Sequence, residues 1–173
     1  MRILFVYPYT PTCCLLSLRG IVYEFLRSCF FRPKIISRCL SYWGEINQGV
    51  SYIAALLKKH HHDVRLFVVQ RRADVTAICS EMDSFKPNIV CYSAYDNNYD
   101  QIVRQATYLK KKYPHVYTVI GGVYATLNPD EVIQQCFDAV CVGEGEYPVL
   151  ELVNQLANGH QPSGIRNLWI KRN

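Results

Sequence analysis

Four short segments contain the residues whose types and spacing could serve a ligand. Each follows an apolar run and combines small, hydroxyl or carboxylate side chains: Tyr7-Pro8-Tyr9-Thr10, Ser93-Ala94-Tyr95-Asp96, Gly121-Gly122-Val123-Tyr124-Ala125 and Gly143-Glu144-Gly145-Glu146. Paired glycines permit positive φ and a close approach of the main chain, which serves either a tight turn or a bulky ligand laid against the backbone. These segments indicate ligand binding, and no catalytic residue is predicted.

The cysteines and histidines do not form a recognisable metal motif. The eight cysteines have neither a paired Cys-x-x-Cys spacing nor the Cys-x-x-x-Cys-x-x-Cys spacing that holds a cluster for S-adenosylmethionine chemistry. Cys91 and Cys141 lie in apolar runs, where a buried thiol behaves as a small hydrophobic residue. His60, His61 and His62 are adjacent, so their side chains point in different directions and are expected to be solvated. No metal ligand is predicted.

The length and composition indicate one cytoplasmic domain. The chain has 173 residues, half of them hydrophobic, which suffices for a single core. The run from Met1 to Pro8 is too short for the apolar core of a signal peptide. Charged residues interrupt the longest later apolar stretch, so no membrane span is predicted. The thiols are therefore expected to stay reduced.

The net charge of +5 gives no indication of a nucleic-acid partner. Residues 1–47 carry six Lys or Arg against Glu24 and Glu45, whereas the rest of the chain is almost balanced. The run Lys110-Lys111-Lys112 ends a predicted helix, where cations suit the helix dipole. Because no basic cluster is combined with stacking aromatics on a recognisable motif, a nucleic-acid partner is not predicted.

The order of the elements predicts an α/β domain. Runs of β-branched and aromatic residues predict strands over 3–7, 64–69, 89–93, 117–120 and 139–142. Apolar residues at helical spacing predict helices over 50–57, 102–109, 132–136 and 149–156. This alternation favours a flavodoxin-like (Rossmann-like), doubly wound, five-stranded parallel sheet with helices on both faces. Ligands of such sheets sit beyond the carboxyl ends of the strands, where the four segments fall.

A helical insertion is predicted after the first strand, at about residues 12–46. A strand-to-helix loop normally needs only about 2 to 6 residues, and here apolar residues repeat at helical spacing beside the basic excess. This segment would dock on the domain's own ligand edge, bind another domain or subunit, or lie on an anionic membrane surface. Of these three, binding to a membrane surface is the one that we expect least.

Three other functions that use this type of sheet are disfavoured. A receiver-type phosphorylation domain needs an acidic pair after the first strand, but the first acidic residue is Glu24. A flavin or dinucleotide site needs a phosphate-binding loop at the same place, and Thr10-Pro11-Thr12 contains no glycine.

Two motifs are specific, and together with several shorter segments they extend over nearly the whole chain in a fixed order. They are Ile120-Gly121-Gly122-Val123-Tyr124-Ala125-Thr126-Leu127-Asn128-Pro129-Asp130-Glu131 and Phe137-Asp138-Ala139-Val140-Cys141-Val142-Gly143-Glu144-Gly145-Glu146. With residues 1–8, 49–59, 62–64, 85–90 and 113–114, they make the sequence similar to the N-terminal cobalamin (vitamin B12)-binding domain of cobalamin-dependent radical S-adenosylmethionine (SAM) enzymes of the methyltransferase type.

The resemblance implies where cobalamin would bind. The corrin ring would lie across the carboxyl edge of the sheet while the nucleotide tail slides between sheet and helices. Ser93 would hydrogen-bond the tail, and Gly121 and Gly122 would let it pass the backbone. The sequence departs from the family at Tyr95, where leucine is frequent, and at Tyr124, where histidine is usual. The implied cofactor-binding residues are Tyr9, Thr10, Ser93, Ala94, Tyr95, Asp96, Gly121, Gly122, Val123, Tyr124, Gly143, Glu144, Gly145 and Glu146.

No histidine is expected to bind the cobalt of this cobalamin. The mutases and methionine synthase supply one from an Asp-x-His-x-x-Gly loop after the first strand, and this loop is absent here. The segment 60–62 and His115 precede strands, at the amino edge of the sheet, and His160 lies beyond the last helix. A base-off cobalamin is therefore expected, with water or a non-coordinating side chain near residues 9–12 below the cobalt, as suits a methyl carrier.

The resemblance also implies that cobalamin binding and catalysis belong to different domains. Residues 1–160 would form the cobalamin-binding domain and residues 161–173 a linker toward a radical SAM domain, which this sequence lacks. The 4Fe-4S cluster, SAM and the methyl transfer or related radical chemistry would belong to that domain, in the same or a partner chain. The alternative is a cobalamin-free docking module whose residues 13–43 fill the ligand edge.

Overall fold

The computed structural model describes residues 1–8, 47–69 and 75–171. The five predicted strands are confirmed, and none of their ends differs from the prediction by more than one residue. The predicted insertion at 12–46 lies outside the described residues. The described elements are β1 Arg2–Pro8, α1 Gln48–Lys59, β2 Asp63–Val69, α2 Val75–Phe85, β3 Ile89–Ser93, α3 Tyr99–Lys112, β4 Tyr117–Gly121, α4 Val123–Leu127, α5 Pro129–Ile133, β5 Ala139–Cys141, α6 Glu146–Ala157 and β6 Leu168–Ile170.

The sheet is doubly wound, as predicted, with the strand order β2-β1-β3-β4-β5-β6. The first five strands are parallel. Strand order reverses between β1 and β3, because β2 lies on one side of β1 and the later strands lie on the other. The flavodoxin-like fold is thereby confirmed, and the reversal marks the place where such sheets bind ligands.

In the described part of the chain the sheet has six strands, one more than the five predicted. Residues Leu168–Ile170, in the segment predicted to be a linker, form β6 and pair antiparallel with β5. Three residues give too short a pattern to be recognised in the sequence. They become a strand because the outer edge of β5 offers unpaired backbone groups to a chain that returns alongside it.

Helices cover both faces of the sheet, and each face has its own core. The apolar stripes of α1 and α6 pack on one face, against side chains such as Ile3, Phe5 and Cys91. The stripes of α2 and α3 pack on the other, with Ala125 of α4 and Val132 of α5. The central strand β1 reads as a continuous apolar run because it is buried on both sides.

Two helical regions differ from the sequence prediction. Helix α2 was not predicted, although Ile78, Cys79, Met82 and Phe85 are buried at helical spacing. The pattern over 132–136 predicted one helix, whereas the structure has α4 and α5, and α5 ends at Ile133. Asn128 lies between these two helices, with ψ 49°, and Pro129 favours the new start because its ring presets a helical φ.

Asp138 anchors the start of β5 to the neighbouring strand and helix. Its Oδ2 accepts hydrogen bonds from the Thr118 backbone N–H at 2.7 Å and from the Thr118 hydroxyl at 2.9 Å. The same oxygen pairs with Lys110 Nζ of α3 at 2.5 Å. The carboxylate is mostly shielded from water, with 28% of its side chain exposed. Without it, the Thr118 N–H would lose this partner, whereas Lys110 Nζ would keep the Val116 carbonyl at 2.9 Å.

We expect Asp138→Ala to lower the free energy of unfolding by about 2 kcal/mol, because donors that now meet a charged acceptor lose it. Urea denaturation measures this. Glu81→Ala is the control, since the ion pair of Glu81 with half-exposed Arg65 is worth less than about 1 kcal/mol. Equal losses in the two variants would contradict the prediction.

Among the residues that the structure describes, no helix combines the length and apolar character needed to cross a membrane.

Candidate functional site

A cleft of about 390 Å³ opens at the carboxyl ends of β3, β4 and β5. It lies on the face of the sheet that carries α1 and α6, because its apolar floor belongs to that core: Phe5, Cys91, Val119 and Cys141. The first turns of α1 and α6 form its walls. The lining further includes Asn47, Gly49, Val50, Ile53, Tyr92, Ser93, Tyr95, Gly121, Gly122, Val123, Thr126, Leu127, Gly143, Glu144, Gly145, Glu146 and Val149.

The two glycines that end β4 act differently. Gly122 has φ +92°, and a Cβ there would lie 2.7 Å from the Ala94 carbonyl oxygen and 2.8 Å from the Ala94 nitrogen. The backbone of Ala94 is fixed, because its N–H donates to Gly121 O at 2.8 Å and its carbonyl accepts from Tyr124 N–H at 3.1 Å. Gly122 thus allows the ends of β3 and β4 to meet without side chains between them.

Gly121, in contrast, faces open space in the cleft. It lies two residues after Val119 on β4 and therefore shares its face of the sheet. A Cβ at Gly121 would make only ordinary contact, 3.5 Å from Cys141 Cβ. The missing side chain therefore leaves room in the cleft rather than relieving a clash.

Thr126 connects the loops after β4 and β5. Its hydroxyl donates to Gly122 O at 2.9 Å and accepts from Gly143 N–H at 3.0 Å. One hydroxyl thereby joins the segment that contains Gly121-Gly122 to the segment that begins at Gly143, and holds both at the same rim of the cleft.

Asn47 and Ser93 supply further polar groups of the cleft, and Ser93 lies beside the end of β4, where it pairs with Gly121. Asn47 is the N-cap of α1, and its side-chain oxygen accepts from the Val50 N–H at 3.0 Å. Its Nδ2 donates to Ser93 Oγ, at 3.1 Å. The start of α1 is therefore tied to the carboxyl end of β3.

The two cysteines of the floor are neutral at physiological pH. Burial raises the pKa of Cys91 far above its usual range. Burial, with the nearby carboxylates of Glu146 and Glu144, raises the pKa of Cys141 to about 11. Because a thiolate is the form that binds metals and attacks electrophiles, both side chains serve here as small apolar groups, as the sequence predicted.

The raised pKa of Cys141 predicts a loss of stability in alkaline solution. The unfolded chain would ionise this thiol near pH 9, whereas the folded chain keeps its proton up to about pH 11. Below pH 9 the contribution is fully present, and it disappears as the pH rises to 11, by on the order of 2 kcal/mol. The free energy of unfolding, measured by urea denaturation between pH 9 and pH 11, should decline less steeply for Cys141→Ala than for the wild type. Parallel declines in the two proteins would contradict this prediction.

The cleft contains nine of the residues predicted to bind the cofactor: Ser93, Tyr95, Gly121, Gly122, Val123, Gly143, Glu144, Gly145 and Glu146. Three others do not line it. Ala94 is fully buried in the opposite core, and Asp96 is exposed. Tyr124 packs its ring on Tyr99, with centroids 4.0 Å apart, on the opposite core as well. Tyr9 and Thr10 lie outside the described residues.

Sequence reasoning missed the wall that the helices contribute. Asn47, Gly49, Val50 and Ile53 come from the start of α1, and Val149 comes from α6. One feature of the sequence could have indicated where α1 begins. Asn47 lies three residues before Val50, which is the spacing at which a side-chain N-cap accepts a backbone hydrogen bond. A helix that begins at the carboxyl edge of a parallel sheet brings its first turn to the ligand side.

The histidines lie away from the cleft, as predicted. His60, His61 and His62 directly precede β2, whose first residue pairs with Arg2 at the start of β1. His115 precedes β4 and is exposed. Within residues 1–8, 47–69 and 75–171, no group of three His, Cys, Asp or Glu side chains could hold a metal ion.

Most residues that line this cleft lie in the part of the chain that matches a known family. The model of the B12 binding domain matches residues 44–153, which is more than half of the chain and spans the described walls and floor of the cleft except Phe5. The chain belongs to the B12-binding domain family. Its glycine segments, Gly121-Gly122 and 143–146, lie within the matched part of this B12-binding domain.

Relatives of this B12-binding domain are much longer proteins. An uncharacterized methyltransferase of Pyrococcus horikoshii is 31% identical over 129 residues, which is 72% of this chain and 28% of the relative. The anaerobic magnesium-protoporphyrin IX monomethyl ester cyclase of Rubrivivax gelatinosus is 28% identical over 114 residues, which is 64% of this chain and 20% of the relative. The chain therefore spans less than a third of either relative.

A solved structure supports the fold of the B12-binding domain. The cobalamin-dependent S-adenosylmethionine radical enzyme OxsB, with aqua-cobalamin and S-adenosylmethionine bound, superposes with a TM-score of 0.64 at 14% identity. The match covers 96% of this chain and 20% of that enzyme. At this identity, the similarity establishes the shared architecture.

The residues of the cleft fit part of a cobalamin molecule. A volume of about 390 Å³ is in the range of pockets for small organic groups, roughly 300–1,000 Å³. The absent side chain of Gly121 leaves space that a Cβ would begin to fill. An apolar floor with a few polar side chains around it, from Asn47, Ser93, Thr126, Glu144 and Glu146, is the usual composition of a cofactor pocket.

Proposed function

We propose that the cleft binds the nucleotide tail of cobalamin and that the corrin ring rests at the carboxyl edge of the sheet. The observation that carries this proposal is the cleft between the sheet and helices α1 and α6, with room left at Gly121, in a chain of the B12-binding family. Its volume suits one organic group of moderate size, so the larger ring would lie at the mouth.

The chain's own residues would then hold and shield the cofactor. Gly121 leaves the floor open, Thr126 fixes the two glycine loops, and Ser93 offers a hydroxyl at the wall. The neutral thiols of Cys91 and Cys141 line the floor without competing for the metal. When bound, cobalamin supplies a cobalt centre able to carry a methyl group.

The role proposed for the loaded domain is that of a methyl carrier for radical SAM chemistry in another domain. That domain, with its 4Fe-4S cluster and SAM, would belong to the same chain or to a partner, in the cytoplasm. The similarity to a relative named as a methyltransferase supports this proposal. No catalytic residue of this chain is required.

We further propose that the bound cobalamin is base-off and has no histidine ligand. The described histidines at 60–62 and 115 lie at the amino edge of the sheet, away from the cleft. An electron paramagnetic resonance spectrum of the Co(II) form tests this. Nitrogen superhyperfine splitting would contradict it, whereas its absence is the expected result.

The test of binding itself is reconstitution of the purified protein with hydroxocobalamin and methylcobalamin. After removal of free ligand, retained corrin absorbance shifted toward the base-off form is expected at neutral pH. A folded protein that retains no corrin would contradict cobalamin binding. That result would favour the alternative of a cobalamin-free docking module.

A further inference from the structure

The hydrogen bonds of Asn47 fix the orientation of its own amide. The Val50 N–H can only donate, so the atom of Asn47 that lies 3.0 Å from it must be the oxygen. The amide nitrogen must then be the atom that lies 3.1 Å from Ser93 Oγ. The assignment of oxygen and nitrogen, usually ambiguous for asparagine, is thus settled by a backbone donor.

This orientation determines what the Ser93 hydroxyl can do. An amide NH₂ is a donor only, so Ser93 Oγ accepts from Asn47 and cannot donate to it. In the described part of the chain, this is the single hydrogen bond of Ser93 Oγ. The hydroxyl hydrogen therefore remains available, and the half-buried Ser93 lines the cleft.

We propose that Asn47 is a positioning residue that makes Ser93 a hydrogen-bond donor into the cleft. The inference rests on the proposed function and deepens it. The partner would be an acceptor oxygen on the nucleotide tail, such as a phosphodiester or ribose oxygen, and not the corrin ring. Asn47 thereby couples the start of α1 to ligand recognition, because the same amide caps the helix.

Asn47→Asp separates the two roles of this side chain. Aspartate caps helices as well as asparagine does, so the melting temperature should stay near that of the wild type. Its carboxylate would accept the Ser93 hydrogen and turn it away from the cleft. Asn47→Ala is the matched control, because it loses the cap and should lower the melting temperature.

Binding is measured with cobalamin and with cobinamide, which lacks the nucleotide. We expect Asn47→Asp to weaken cobalamin binding about tenfold, as for one lost hydrogen bond, and to leave cobinamide binding unchanged. Ser93→Ala should weaken cobalamin binding by a similar factor. In the Ser93→Ala background, Asn47→Asp should have little further effect, because no hydroxyl remains to be oriented.

Three results would overturn the inference while leaving cobalamin binding intact. Asn47→Asp could leave cobalamin binding unchanged, could weaken both ligands equally, or could weaken cobalamin by the same factor with and without Ser93. The last result would assign the effect to the added charge. If the wild type retains neither cobalamin nor cobinamide, the proposed function fails, and the inference fails with it.

Discussion

Gly122→Ala is expected to lower the free energy of unfolding by about 3 to 4 kcal/mol. Gly122 has φ +92° and ψ −176°, a region that is nearly exclusive to glycine and costs other residues about 1–3 kcal/mol. The added Cβ would also lie 2.7 Å from Ala94 O and 2.8 Å from Ala94 N. Both Ala94 groups are held by hydrogen bonds to β4 and α4, so the clash cannot be relieved by a side-chain movement.

Gly143→Ala is the matched control for this prediction. Gly143 also has a positive φ, +77°, but a Cβ there would have no heavy atom within 4 Å. Its expected loss is therefore the conformational strain alone, about 1–2 kcal/mol. Urea denaturation of both variants measures the difference, and equal losses would mean that the approach of β3 and β4 at Ala94 is not tight in solution.

Gly121→Val should abolish most cobalamin binding while the domain stays folded. Gly121 has ordinary φ and room for a Cβ, 3.5 Å from Cys141 Cβ and 3.7 Å from Cys141 O. Valine is favourable in a strand, but its methyl groups would enter the cleft from the floor. Overfilling a packed site costs about 1–3 kcal/mol, which corresponds to roughly 10- to 100-fold weaker binding.

Two comparisons make this result specific. Gly121→Ala adds a single methyl group that the floor can accept, so its binding should lie between those of the wild type and the valine variant. Cobinamide should bind the wild type and Gly121→Val alike, because it has no nucleotide to place in the cleft. Spectroscopic titration measures both affinities, and loss of cobinamide binding in Gly121→Val would argue that the cleft holds the ring instead.

The carboxyl-edge rule explains why much of the cleft could be predicted from the sequence. Ser93, Gly121 and Gly143 lie at the ends of short runs rich in β-branched residues, which are typical of buried parallel strands. Once the strands are known, the edge at which these residues meet is fixed. The contribution of α1 was missed because Asn47 is separated from β1 by a long connection, and only the folded chain brings it to Ser93.

The side of the sheet that each loop residue faces could be predicted only in part. Alternation along a strand assigns faces only while the extended conformation lasts. At the end of β3 the alternation still applies: Ser93 lines the cleft on the face of Cys91, and Ala94 enters the opposite core, so the assignment of Ala94 to the site was avoidable. The positive φ of Gly122, in contrast, changes the direction of the chain, and Tyr124 stacks on Tyr99 of α3 instead of facing the cleft.

The antiparallel strand β6 covers an edge of β5 that would otherwise be open to another chain. It covers the outer edge of β5, where Val140 faces Trp169 in the pairing, and Lys171 follows it and donates to the carbonyl of Gln135 at 2.6 Å. A fragment cut after residue 160 would leave a short row of backbone donors and acceptors without partners. Such an open edge pairs with other chains, so a recombinant fragment that ends there should aggregate more than one that retains β6.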